Sequence, residues 1–334
     1  MRSLPAVAKH RPLLAMVIYP GVTNLFGFDS PKANTDAATG IAARGISTTR
    51  AIRLALREAR WTVQLMYLLR FAIGARLADP SGLLLWHTSV GMLAWFAVCV
   101  AIYALNGISD VDGDRRNGSR RPIATGALPV PAAWRAVACL SVVGVAAAAL
   151  VSAALVLLTV LMLMLGWAYS FGPRPLKNSV PGLVFSGTAL GALTYLAGAV
   201  AVRGPVPGVD MVVFALGLSL WMGVVGTATK DLKDVRGDRL AVRRTLPILL
   251  GPERATTLAR VLAVGYGAAF LLVSTAFAPG VALPALCVLA GGIMLAAAPW
   301  VLQRTRKSPR PDCGKDVYRV YMVTQYVANL ALLV

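Results

Sequence analysis

The chain is 334 residues long, 57% hydrophobic and only 14% charged, with a mean hydropathy of +0.68. That composition excludes an ordinary soluble domain and predicts a polytopic integral membrane protein whose main partner is the lipid bilayer. The formal charge of +19 and pI near 10.6 do not imply nucleic-acid binding, because the basic residues fall in loops between apolar spans and form no aromatic-interleaved surface.

Residues 1–55 read as a flexible, basic cytoplasmic leader. They contain Pro5, Pro12, Pro20 and Pro31, and their one apolar run, Leu13 to Tyr19, is too short to span and is cut by Pro20 without a clear cleavage site. The remainder, 56–334, reads as the transmembrane domain. Apolar windows pick out about nine spans, near 61–78, 84–105, 132–151, 153–171, 181–201, 209–228, 256–277, 281–302 and 316–334. Arg70 lies well inside the first, where a charge is costly unless it faces a cavity or a partner, so it is a functional candidate. The second begins at His87, an interfacial position. The third and fourth are nearly continuous, but the distance from Arg135 to Tyr169-Ser170 needs two helices to fill it. Trp86, Trp95, Trp167, Trp221, Met162, Met164 and Met222 are candidates to line an apolar channel, against the alternative of packing or facing lipid. Most of the 33 Lys and Arg fall on the N-terminal side, which predicts that side to be cytoplasmic. The four cysteines are predicted to be free thiols, and oligomeric state is left open.

Two acidic segments repeat each other. Ser109-Asp110-Val111-Asp112-Gly113-Asp114-Arg115, after the second span, and Lys233-Asp234-Val235-Arg236-Gly237-Asp238-Arg239, after the sixth, agree at five of seven positions, which suggests a duplicated unit. Asn106, Asp110 and Asp114 are four apart, and Asp231, Asp234 and Asp238 are three and four apart, so each set shares one helical face. Asp112 points away. One acidic loop is commonly just solvated, but two matched clusters in a chain of net charge +19 call for a divalent cation to offset the repulsion. Arg115, Arg116, Arg243 and Arg244 read as topology signals or lipid-headgroup contacts.

At these residues the chain resembles the UbiA family of intramembrane prenyltransferases. The first aspartate-rich motif is similar to Asn106-Gly-Ile-Ser-Asp110-Val-Asp-Gly-Asp114 followed by Arg121-Pro122; the second is similar to Lys230-Asp231-Leu-Lys-Asp234-Val-Arg-Gly-Asp238 followed by Thr245-Leu246-Pro247. The segment from Tyr169-Ser170 to Lys177 resembles a further signature, and the likeness covers about residues 55–334. It implies an all-α membrane protein with helices bundled around a central cavity in two pseudo-repeated halves. It also implies transfer of an isoprenyl group from a prenyl diphosphate, through an allylic cation, to an acceptor expected to be aromatic. Asn106, Asp110 and Asp114 would hold one Mg²⁺ and Asp231, Asp234 and Asp238 a second; Lys177, Arg121 and Lys230 would clamp the diphosphate, Tyr169 would orient it or steady the cation, and Arg70 would serve an anionic acceptor or the diphosphate. One position departs from the pattern: Gly107 stands where Asp is common, and Asp112 could compensate only if the loop is not regularly helical. A terpene cyclase of the same superfamily shares every motif and is one alternative; a secondary transporter, which also shows a duplicated unit with intramembrane charge, is another, but it predicts charges near the midplane rather than in loops.

Overall fold

The computed structural model describes residues 46–79, 86–202, 208–233, 235–240, 242–305 and 313–333, without the side chains of 233, 236, 240 and 298–315. Within the compact unit that starts at Ile46, the first element is a helix, α1 (Thr48–Glu58). Residues 48–55 therefore do not share the leader character expected of them; the leader up to residue 45 lies outside the described residues. The reason is visible in the spacing. Ala51, Ala55 and Glu58 turn one face inward, while Arg50, Arg53 and Arg57, whose charges suggested a leader, are exposed on the other. Ser47 caps the helix by accepting from the Arg50 N–H at 3.3 Å.

Helices α2 (Trp61–Ala78) and α3 (Trp86–Ser109) follow, then the single turn and a half of α4 (Val111–Arg116). The α1 alanines pack with Ala97, Ala101 and Ala104 of α3, small residues that let the backbones approach closely. Two further helices, α5 (Val130–Ala149) and α6 (Ala153–Ser170), are separate as expected. The break falls at 150–152, where Ser152 accepts from the Leu155 N–H at 3.1 Å. Helix α7 (Val180–Ala201) lies against α2 so tightly that a Cβ on Gly198 would stand 1.9 Å from the Phe71 carbonyl oxygen. Helix α8 (Val209–Lys230) widens into a π turn at Met222–Gly226.

After α8, one 3₁₀ turn (Asp231–Lys233) leads into α9 (Val235–Leu240), so the second acidic repeat folds like the first, with a short helix starting at the matching valine. Then come α10 (Leu246–Leu250), α11 (Pro252–Phe277), α12 (Ala282–Thr305) and α13 (Cys313–Leu330). Among the described residues seven helices are long and apolar enough to cross a membrane. The expected spans at 61–78 and 316–334 are helical through α2 and α13 but are not among the seven. Their polar residues explain this: Arg70 of α2 and Gln325 of α13 turn toward an interior cavity rather than toward lipid. The protein is an all-helical membrane protein. Cys99, Cys139 and Cys287 are free thiols; the Cys313 side chain lies outside the described residues.

Candidate active site

The cavity has a volume of about 250 Å³ and is walled by α2, α3, α4, α6, α7, α8, α9 and α13. Asn106 sits in the last turn of α3, Asp110 in the break after it and Asp114 on α4. Helical hydrogen bonds carry across that break, Asp110 N to Asn106 O at 3.0 Å and Asp114 N to Asp110 O at 2.8 Å, so the i, i+4 spacing keeps all three on the cavity side. From the second repeat, Asp238 lines the same cavity. Asp231 is buried in the turn after α8 but is not on the lining, and Asp234 lies outside the described residues. Asp112 is exposed on the far face of α4.

Cations bind these carboxylates together. Lys177 donates to Asp110 Oδ1 at 2.7 Å, to Asn106 Oδ1 at 3.5 Å and to the Ser109 hydroxyl. Arg243 is the main correction to the sequence reading. Far from being a headgroup contact, its guanidinium reaches into the cavity and joins the two clusters, pairing with the same Asp110 oxygen and with Asp238 at 3.2 Å. The backbone delivers it there: Val242, just before it, takes a positive φ of 54°, and Arg244, just after it, is tied to the segment before α7 by its N–H to Asn178 O at 3.0 Å. Burial would push the Asp110 carboxyl up, but Lys177 and Arg243 together hold it below the ordinary carboxylate range. Burial pulls the Lys177 ammonium down despite Asp110, whereas for Arg243 the two carboxylates outweigh burial and push it up. Arg244 and Arg116 are exposed, and Arg115 donates to the Ala124 carbonyl at 3.2 Å.

Arg121 also lines the cavity, held between Asp114 (2.9 Å) and Glu58 (2.6 Å). Glu58 was not singled out by sequence reasoning, although it is one of only two glutamates in the chain. Burial raises its carboxyl above the usual range even though Arg121 opposes this. Asp112 could compensate for Gly107 only if the loop were not regularly helical; Val111–Arg116 is helical and leaves Asp112 exposed, and Glu58 is the carboxylate beside that glycine.

At the same end Lys230 donates to the Tyr169 hydroxyl at 3.0 Å and stands 5.7 Å from the centre of its ring. Met222 is eight residues before Lys230 on α8, which places it about 12 Å further along the helix. There Arg70, 2% exposed, donates to Gln325 Oε1 at 2.6 Å and contacts Met222 Sδ at 2.7 Å, with its guanidinium 5.8 Å from the Tyr195 ring centre. Among the described residues no carboxylate pairs with it, and its Nε has no partner. Between the two ends the walls are largely apolar and aromatic, including Tyr67, Ile102, Tyr103, Leu183 and Tyr321. Of the seven Trp and Met residues proposed for an apolar channel only Met222 lines it. Trp95, Trp221 and Met162 are buried in helix packing, and Trp86, Trp167 and Met164 are exposed on the outer face.

The carboxylates and the Asn106 amide offer only oxygen donors, a set suited to a hard divalent cation such as Mg²⁺ and poorly suited to zinc. Among the described residues no three of His, Cys, Asp or Glu stand together as a ready ligand set. One Asp110 oxygen is instead shared by Lys177 and Arg243.

The model of the UbiA prenyltransferase family matches residues 67–314. The digeranylgeranylglyceryl phosphate synthase of Halobacterium salinarum is 33% identical over 170 residues, 50% of this chain and 58% of its own length. The bacteriochlorophyll synthase 33 kDa chain of Cereibacter sphaeroides is 32% identical over 172 residues, 50% of this chain and 56% of its own. The matched region thus spans less than two thirds of either relative. Among solved structures, a UbiA homolog from Archaeoglobus fulgidus bound to GPP and Mg²⁺ gives a TM-score of 0.59 at 20% identity, covering 84% of this chain and 100% of that one. At that identity the likeness is one of fold.

Proposed function

Because the chain belongs to the UbiA prenyltransferase family, we propose that it transfers an isoprenyl group, within the membrane, from a prenyl diphosphate to an acceptor that carries an anionic group. The observation that carries this reading is the division of one cavity into two ends: a charged end where Asp110, Asp114, Asp238, Arg121, Lys230 and Arg243 gather, and an apolar depth that closes on Arg70. The charged end suits a diphosphate. Asn106, Asp110, Asp114 and Asp238, which line the cavity, would hold Mg²⁺, with Asp231 and Asp234 as the further ligands that the second motif implies; the metal when bound supplies Lewis-acid help to the leaving diphosphate. Arg121, Lys177, Lys230 and Arg243 share the remaining negative charge as the carbon–oxygen bond breaks. The ring face of Tyr169 stabilises the allylic cation left behind, and the apolar walls keep water from quenching it.

At the other end a guanidinium that no carboxylate among the described residues pairs with favours an acceptor with a phosphate or carboxylate; its charge matters more than an aromatic ring. The relative named digeranylgeranylglyceryl phosphate synthase supports a phosphate-bearing acceptor. Glu58 supplies a carboxylate beside Gly107, where the family pattern commonly has Asp.

The test is to incubate purified protein in Mg²⁺ with prenyl diphosphates of several lengths, with acceptors bearing and lacking a phosphate or carboxylate. Diphosphate release that requires an anionic acceptor is expected. Release with a cyclic hydrocarbon product and no acceptor would replace the reading with the cyclase.

A further inference from the structure

Gly107, one residue past Asn106, faces a filled space. A Cβ at this position would lie 2.4 Å from Glu58 Oε1, 3.0 Å from Glu58 Cδ and 3.1 Å from the Ile123 side chain. The carboxylate that fills it is fully buried with both oxygens engaged: Oε1 forms an ion pair with the Arg121 guanidinium at 2.6 Å, and Oε2 accepts the Ile123 N–H at 3.0 Å. The Glu58 carbonyl adds a second hold on the same guanidinium at 3.4 Å, and Arg121 passes its other edge to Asp114 at 2.9 Å. Glu58, Arg121 and Asp114 therefore form one chain of contacts that ends on the cavity wall.

From this we propose that Glu58 is a positioning residue: it stands where a side chain at 107 would stand, and it sets Arg121 against Asp114 at the diphosphate end of the cavity. Glu58 comes from a helix that precedes the family-matched region, 67–314. The local sequence is built to deliver it. Ala51, Ala55 and Ala59 seat α1 on its neighbours, the chain turns sharply at Arg60 with φ 56°, and Gln64 of α2 clamps the turn by donating to the Ala59 carbonyl at 2.9 Å. Burying a carboxylate is unfavourable unless it is paired and hydrogen-bonded, and here both conditions are met only while residue 107 has no side chain. Gly107 and Glu58 are thus one unit, and neither can be changed alone without cost.

The role of Arg121 in this proposal rests on the prenyl-diphosphate reading; the mutual fit of 58 and 107 does not. Four full-length variants in detergent separate them: Glu58→Gln, Gly107→Ala, Gly107→Asp, and Gly107→Asp combined with Glu58→Ala. Melting temperature, KM and kcat for the prenyl diphosphate, and the melting-temperature rise caused by inorganic diphosphate with Mg²⁺ are measured on each. Both single changes at 107 should lower the melting temperature, and the double variant should recover most of what Gly107→Asp loses, because the added carboxylate enters the space that Glu58→Ala vacates. Glu58→Gln keeps the shape but weakens the charged contact, so KM should rise about tenfold with a smaller change in kcat, and the stabilisation by inorganic diphosphate should shrink. A double variant no more stable than Gly107→Asp overturns the fit of 58 and 107. A Glu58→Gln protein with wild-type KM and wild-type stabilisation by diphosphate overturns the positioning role. If the wild-type chain turns over no prenyl diphosphate, the proposed function falls, while the melting temperatures and the response to inorganic diphosphate still decide both parts of this proposal.

Discussion

Arg243 closes on Asp110 across 133 residues of chain, and by pairing with Asp238 as well it ties the second acidic repeat to the first. Replacing one partner of such a charge-assisted, largely buried contact removes about 1.5–3 kcal/mol. Arg243→Met is expected to lose at least about tenfold in turnover, equivalent to about 1.4 kcal/mol of barrier. Arg244→Met, which alters an exposed side chain and leaves the backbone bond to Asn178 in place, should retain activity. Equal activity in the two variants would remove Arg243 from the site.

The same network predicts an acid-sensitive term in stability. Asp110 has a native pKa below its unfolded value, so its contribution is fully present above the unfolded value, near 4, and is lost as pH falls through the native one. Thermal unfolding in chelator-containing detergent buffer should therefore show a falling limb in wild type as pH drops below about 4, and Asp110→Asn should flatten it. A limb of equal slope in both proteins would assign acid sensitivity to other groups.

Arg70 and Gln325 test the acceptor end. Arg70→Leu leaves Gln325 Oε1 without its 2.6 Å donor, a loss of about 1–3 kcal/mol, but also removes a buried charge that has no carboxylate partner among the described residues. The two effects oppose, so the melting temperature should change little while the acceptor KM rises and the prenyl diphosphate KM does not. A large drop in melting temperature with unchanged kinetics would make Arg70 a structural residue.

The repeated glycine of the two acidic segments is needed in one copy only. A Cβ on Gly237 would lie 2.1 Å from the Asn117 amide nitrogen, whereas one on Gly113 meets nothing within 4 Å. Gly113→Ala should be neutral or stabilising by up to about 1 kcal/mol through helix propensity. Gly237→Ala must push the Asn117 side chain aside at the cavity wall, and should raise the prenyl diphosphate KM with little change in melting temperature. Identical KM values for the two alanine variants would show that this approach of the loops is not used.

What the sequence by itself determined is what depends on neighbours along the chain. Apolar windows place the helices, and i, i+4 spacing puts Asn106, Asp110 and Asp114 on one face; the matched repeats also imply that the two segments meet, and Asp110 and Asp238 line one cavity. What only the tertiary structure decided are the partners. Glu58 finds Arg121 across 63 residues and Arg243 finds Asp110 across 133, and no periodicity encodes such pairings. The channel lining was equally hidden: lipid, helix packing and an interior cavity all ask for apolar side chains, so Trp95, Trp167 and Met222 look alike in the sequence and differ only in what the neighbouring helices leave beside them. The leader boundary was hidden for the converse reason. Arginines on the outer face of α1 signalled a solvated segment, while the small alanines that dock it carry too little hydrophobicity to register until α3 and α5 supply the surface they fit.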